Sequence, residues 1–235
     1  MGALAEDKQL AALDNLAELA EEHYRQACRP FGNNCGFTMG ESSQFLVLMS
    51  DDLALELGAD IHGAVADVFV HADGHKKSIS APGIGNYMTL GKAASLIADL
   101  LGAASRRQRS FVQAHGTSTP QNRITESHVI NETAKAFGIR SWPVSAVKAY
   151  LGHSQGTAGG DQLFASLGVW KYGIIPGLTT TPAIAEDVHT SNLNLPLDHL
   201  NVGAEGMDSV LINAKGFGGN NACLVLESHA RKEQP

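Results

Sequence analysis

Cysteine is scarce in this sequence: Cys28, Cys35 and Cys223 are the three present, and none stands in a Cys-x-x-Cys spacing. Three thiols cannot all pair, so a disulfide framework is excluded, and the expectation is free thiols in a reduced, cytoplasmic protein. Long apolar runs are missing as well. The run 45–49, Phe-Leu-Val-Leu-Met, is as long as any in the chain, whereas a membrane-spanning helix needs about 20 apolar residues. The amino terminus has neither a basic start nor an apolar block, so no secretory signal is expected, and Glu6 occupies the place where a myristoylation signal wants Ser or Thr. Positive charge is in deficit too, with 17 Lys+Arg against 24 Asp+Glu, a net charge of −7 and no basic cluster. Duplex nucleic acid is therefore not an expected partner, because phosphate contacts supply most of that affinity.

Glycine, by contrast, is plentiful at 25 of 235 residues, above the usual share of about 7%. Many of these glycines gather in His115-Gly116, in 152–160 and in 216–219, where backbone is expected to approach something closely. The hydrophobic pattern predicts an amphipathic helix over 3–27, carrying Leu10, Leu13, Leu16 and Leu19, then a buried strand over 44–49 and a short helix over 51–57. A strand over 61–70 and a long loop over 71–86 follow. From there helix alternates with strand: helix 92–101, strand 110–114, helix 125–137, strand 141–149 and helix 159–170. After an irregular stretch, 176–208, two strands, 209–213 and 222–227, read as a hairpin joined through 215–221. Such alternation argues for an α/β sheet with helices on its faces.

Several motifs invite a chemical reading. The glycines at 216–219 lack the Gly-x-Gly-x-x-Gly spacing and precede a strand, and 152–160 lacks the Lys-Ser/Thr of a triphosphate loop, so neither suits a nucleotide. His62, His71 and His75 have no thiolate or carboxylate at ligand spacing, so no metal is expected there. Gly152-His153-Ser154-Gln155-Gly156 fits a nucleophile elbow. On that reading Ser154 attacks an ester, with His189 or His199 and Asp161 or Asp187 completing a triad; the alternative is a tight turn in which Ser154 caps a helix. The most informative pair is His115 and His153. Each follows a predicted strand and sits beside glycine, and in an open α/β sheet ligands bind at the carboxyl ends of strands.

Taken together, three segments carry a resemblance: His115-Gly116-Thr117-Ser118-Thr119-Pro120, then Val147-Lys148 with Leu151-Gly152-His153, then Gly216-Phe217-Gly218-Gly219 with Asn221. They resemble the late signatures of the β-ketoacyl-acyl-carrier-protein synthases, condensing enzymes of the thiolase-like superfamily. Cys28-Arg29-Pro30-Phe31, Gly36-Phe37, Met39-Gly40-Glu41 and Ala81-Pro82 match in the same order. The resemblance runs over about 29–227 and corresponds to the C-terminal portion of such an enzyme. It implies an α/β, thiolase-like fold with a mixed sheet covered by helices. Residues 1–72 would be the tail of the N-terminal half and 73–230 the C-terminal synthase domain.

The resemblance also implies a decarboxylative Claisen condensation of an acyl thioester with malonyl-acyl-carrier protein, in fatty acid or polyketide synthesis. His115 and His153 take the place of the family's enolate donors, Lys148 that of its catalytic Lys, and Glu126 that of its Lys partner, a pair that would hold the Lys charged. Thr117 and Thr119 match hydroxyls that bind the phosphopantetheine arm of the acyl carrier protein, so no resident cofactor is implied; Lys215, Phe217 and Gly218 would also meet substrate. Two positions depart from the family. Arg123 stands where an Asp is usual, and Lys215 where a gating Phe is usual. The nucleophilic Cys of the family lies in an early segment that has no counterpart here. Two explanations follow. The chain is a piece of a condensing enzyme whose Cys comes from elsewhere, or it is a non-catalytic subunit that binds carrier protein or a partner synthase. Either way a missing half would leave an apolar patch, so a homodimer or a missing partner chain is expected.

Overall fold

The computed structural model describes residues 28–74 and 83–229. The helix expected over 3–27, together with His75 and Ala81-Pro82, lies outside the described residues. Eight strands and five α-helices are present among those described: α1 (Asp51–Glu56), β1 (Ala64–Ala72), α2 (Ile84–Gln108), β2 (Ser110–Gln113), α3 (Pro120–Ala136), β3 (Trp142–Ser145), α4 (Lys148–Leu151), α5 (Ala158–Tyr172), β4 (Ile174–Ile175), β5 (Leu193–Asn194), β6 (Leu200–Asn201), β7 (Ser209–Gly216) and β8 (Asn220–Glu227). Six strands form one mixed sheet in the order β1-β8-β7-β2-β3-β5. β8 runs antiparallel to both β1 and β7, whereas β7, β2, β3 and β5 are mutually parallel.

The two-residue period of the strands sorts their side chains onto two faces. Val112, Leu211, Cys223 and Val225 point to one core, shared with Leu90, Ala93, Ala94 and Ile97 of α2 and Val129, Ile130 and Ala134 of α3. Phe111, Val210, Ile212 and Leu226, one residue out of step, point to the other, against Leu163 and Val169 of α5. Both faces are thus covered, which is why the central strands read as unbroken apolar runs.

Several boundaries differ from the sequence reading, each for a physical reason. α3 starts at Pro120, not 125, because Thr119 caps it with a hydroxyl accepting from Asn122 N and Pro suits the first helical position. α2 takes in residues from both sides of the expected 92–101, and Gly102, at φ 85°, breaks its geometry partway. The strand expected over 141–149 ends at Ser145, and Lys148 opens a separate helical turn. The connection expected over 215–221 is shorter, since β7 runs to Gly216 and β8 resumes at Asn220. A division after residue 72 would part β1 from β8, with which it pairs from Ala64 to Ala72; the sheet takes in β1.

The largest departure concerns 44–49, which forms no strand. Phe45 is 91% exposed, Val47 83% and Leu48 76%, and in α1 and just after it Leu53, Leu55 and Leu57 are exposed as well. The apolar run is what a buried strand would carry, but the described residues include none to pair with it. Leu211→Ala, in the fully buried centre of the sheet, is expected to cost about 2–5 kcal/mol in urea unfolding. Leu55→Ala, at a site 72% exposed, should stay within about 0.5 kcal/mol; a loss comparable to that at Leu211 would show that α1 is covered in this chain.

Candidate active site

The sequence brings His115 to the carboxyl end of β2, and the turn that carries it is held from two sides. Glu126, on α3 and wholly buried, accepts four hydrogen bonds at 2.8 Å, from His115 N, Gly116 N, Asn122 Nδ2 and Asn213 Nδ2. Lys148, 1% exposed, donates from Nζ to the His115 carbonyl at 2.5 Å. The peptide between His115 and Gly116 therefore lies between a carboxylate on its N–H side and an ammonium on its C=O side. Gly116 has φ 56°, and a Cβ there would sit 2.4 Å from Ala146 Cβ, so the turn requires glycine.

The direct Glu126–Lys148 pair expected from the sequence is not formed; the two charges meet through the His115 backbone instead. Burial lowers the Lys148 ammonium to about 8 from an ordinary 10.5, while Glu126 pulls in the opposite direction. Lys148 consequently remains charged at neutral pH, though by a narrower margin than a contact pair would give.

His153 follows α4, and a stretch of the N-terminal segment holds it. His153 N donates to Thr38 O at 2.7 Å, Gly40 N donates to His153 O at 3.1 Å, and the Phe37 ring lies 5.1 Å from the imidazole centroid. The His115 and His153 rings are 5.6 Å apart, edge to face. In each ring Nδ1 accepts from a backbone N–H: Lys215 N at 3.4 Å for His115, Gln155 N at 3.1 Å for His153. A neutral imidazole whose Nδ1 accepts carries its proton on Nε2, so both rings offer an Nε2–H. Burial, then the Lys148 charge, pushes His153 down to about 4 and His115 well below its ordinary value, so both are neutral at pH 7.

These two rings line a cavity of about 380 Å³ with Phe37, Thr117, Thr119, Asn122, Lys215 and Phe217. Thr117 and Thr119 share a hydroxyl contact at 3.3 Å, and Thr119 also caps α3. Lys215 lies near the end of β7, and its charge contributes to lowering His115. Gly218 does not line the cavity; at φ 82° it serves the β7–β8 turn, beside Gly219 at φ 84°. Arg123 meets Asp187 with two 2.8 Å bonds and reaches Gly32 O and Asn34 Oδ1, tying two loops to α3.

The other candidates are not assembled. Ser154 Oγ donates to Asp161, His199 Nδ1 accepts from Gly177 N, and His189 packs on His128, so no serine triad exists among them. His71 is engaged by Thr89 and Lys92. Cys28 and Cys223 are buried, and desolvation raises both thiols, which disfavours the nucleophilic thiolate. Sequence reasoning missed Asn122 and Asn213, which complete Glu126, and Gln162, whose Nε2 reaches the carbonyls of Gln113, Ala114 and Asn213. Asn213 was signalled in one respect, as a polar residue ending the apolar run 210–212.

Comparison with known proteins agrees with this geometry. The family profile described as "Beta-ketoacyl synthase, C-terminal domain" matches residues 62–181. The beta-ketoacyl-acyl-carrier-protein synthase FabY of Pseudomonas aeruginosa is 53% identical over 228 residues, covering 97% of this chain and 35% of that protein. The 3-oxoacyl-acyl-carrier-protein synthase 2 of a Synechocystis strain is 31% identical over 86% of this chain and 47% of its own length. The crystal structure of the P. aeruginosa ketosynthase FabY superposes with a TM-score of 0.85 at 52% identity, over 94% of this chain and 34% of that one. The chain thus spans about a third to a half of the length of these relatives, and its α/β sheet has the thiolase-like form that the motifs implied. With the profile covering the strands and turns that carry His115, Lys148 and His153, the chain belongs to the β-ketoacyl synthase family, through its C-terminal domain.

Proposed function

We propose that this chain is the part of a β-ketoacyl-acyl-carrier-protein synthase that drives decarboxylation of malonyl-carrier protein, the nucleophilic Cys coming from the remainder of the synthase. One observation carries the reading. Two neutral imidazoles, each with Nδ1 occupied by a backbone N–H, line one cavity and offer it two Nε2–H donors. When the malonyl C–CO₂ bond breaks, its electron pair passes to the thioester as an enolate, and the developing oxyanion accepts from both donors. The enolate carbon then attacks the acyl-enzyme carbonyl, forms the new C–C bond and expels the Cys thiolate. Lys148 and Glu126 touch no substrate atom in this scheme; they hold the His115 turn and its field.

Thr117 and Thr119, on the cavity wall, suit the hydroxyl and amide groups of a phosphopantetheine arm, so the partner is an acyl carrier protein and no resident cofactor is required. The exposed run 45–57 supports a second association. The strand-like apolar sequence of 45–49 and the exposed leucines of α1 fit the Cys-bearing portion better than solvent; a second copy of this chain is the competing occupant. A binding subunit alone would have no chemical use for both imidazoles and the charge pair around them. The proposed location is the cytoplasm, which suits Cys28, Cys35 and Cys223 standing outside any disulfide; no helix among the described residues is long and apolar enough to cross a membrane.

Reconstituted with a Cys-bearing portion, His115→Ala and His153→Ala should each lower malonyl-carrier decarboxylation by on the order of 10²–10³-fold; full activity in either would sink the donor assignment. Intact-mass analysis after incubation with an acyl-carrier thioester should find no acyl group on Cys28, Cys35 or Cys223, and a stoichiometric adduct would place the nucleophile in this chain. The pH dependence follows from the lowered imidazole. His153 binds its proton near pH 4 when folded and near 6.5 when unfolded, so its contribution is present above pH 6.5 and lost as the pH falls through about 4. Urea midpoints should therefore drop across that window, and less steeply in His153→Gln; an equal slope in both would contradict the assignment.

A further inference from the structure

One buried carboxylate beside the site has no part in the chemistry above. Asp161, in the first turn of α5, is 6% exposed. Its Oδ2 accepts from Ser154 Oγ and, at 3.1 Å, from Ser42 Oγ, while its Oδ1 accepts from Gln44 Nε2. The same junction includes a 2.7 Å contact between Ser42 Oγ and Thr157 Oγ1. Gly160 leaves the space that the Gln44 amide occupies, since a Cβ there would lie 2.4 Å from Gln44 Oε1. Three donors and the N-terminal end of a 15-residue helix offset the cost of burying this charge.

The two stretches that Asp161 joins are the ones that frame His153. Residues 37–44 supply Phe37 against the ring, and Thr38 O and Gly40 N around the His153 backbone. The turn 153–157 supplies Gln155 N, which donates to His153 Nδ1 and sets its tautomer. We infer that Asp161 is a positioning residue for His153: it locks residues 42–44 to the turn after His153 and so fixes the direction in which that ring presents Nε2–H. The catalytic consequence rests on the proposed function; the positional one does not. Without the carboxylate, Ser154 loses its acceptor, residues 42–44 lose their anchor on α5, and the Gln155 N–H is no longer held toward Nδ1.

The test reads the imidazole directly. In the full ¹⁵N-labelled chain, long-range ¹⁵N NMR should show His153 as a single Nε2–H tautomer. In Asp161→Ala it should show both tautomers, while His115, whose Nδ1 partner lies on β7, stays unchanged. Asp161→Asn should restore the single tautomer, because the amide oxygen still accepts from Ser154 and the Gln44 amide can turn its oxygen to the new NH₂. A folded Asp161→Ala protein with an unchanged His153 signal overturns the inference. If that variant does not fold, the double change Ser42→Ala with Gln44→Ala cuts the strap and leaves Ser154 to the carboxylate. The same mixture then supports the inference, and its absence overturns it. In the reconstituted synthase, Asp161→Ala should lower kcat for decarboxylation by on the order of 10²-fold, with KM nearly unchanged. A wild-type protein with no decarboxylation would fail the functional reading alone, since the tautomer result decides Asp161 by itself.

Discussion

The peptide between His115 and Gly116 is the point on which the site depends. Its N–H faces a buried carboxylate and its C=O a buried ammonium. Neither charge could stay in so dry a place without partners, and each finds them largely in the backbone it holds. Glu126 fills its acceptor positions with two backbone N–H groups and two Asn side chains, one from its own helix and one from β7. One helix, two strands and a loop are thereby committed to a single turn geometry. Because the His115 ring projects from that turn, its place in the cavity is set by groups that never touch a substrate.

His153 reaches the same cavity by a different route. It lies against an extended stretch from far earlier in the chain, crossing where Gly40 and Gly152 meet back to back: a Cβ on Gly40 would lie 2.1 Å from Leu151 O, and one on Gly152 2.7 Å from Thr38 O. The first imidazole is thus fixed by charge and the second by packing and hydrogen bonding. The common outcome is two low-pKa rings whose Nδ1 atoms are occupied, a preorganised pair that needs little rearrangement as an oxyanion develops between them. The same early stretch runs on into the exposed apolar side chains of 45–49 and of Leu53, Leu55 and Leu57, so whatever covers those residues attaches to chain that already frames His153.

Much of this was legible in the residues. The alternation of apolar runs gave β2, α3, β3, α5, β7 and β8 because those strands are covered on both faces and their helices pack one stripe inward. The site was legible in the residues whose spacing is constrained by backbone, His115-Gly116 and Gly152-His153. What stayed hidden was partnership across the fold. Nothing local says that Asn213 on β7 completes Glu126 on α3, or that Lys148 addresses a carbonyl rather than a carboxylate. The run 44–49 misled for the opposite reason: its pattern is that of a buried strand, and pattern records what a segment is suited to meet, not whether the partner is there.

Neutron diffraction from a crystal of the chain exchanged into D₂O at neutral pH locates the protons on which the account turns. It should show deuterons on Nε2 of both His115 and His153, none on either Nδ1, and three on Lys148 Nζ. A deuteron on Nδ1 of either ring, with Nε2 bare, would leave that ring without a donor for the oxyanion and would contradict the account at its centre.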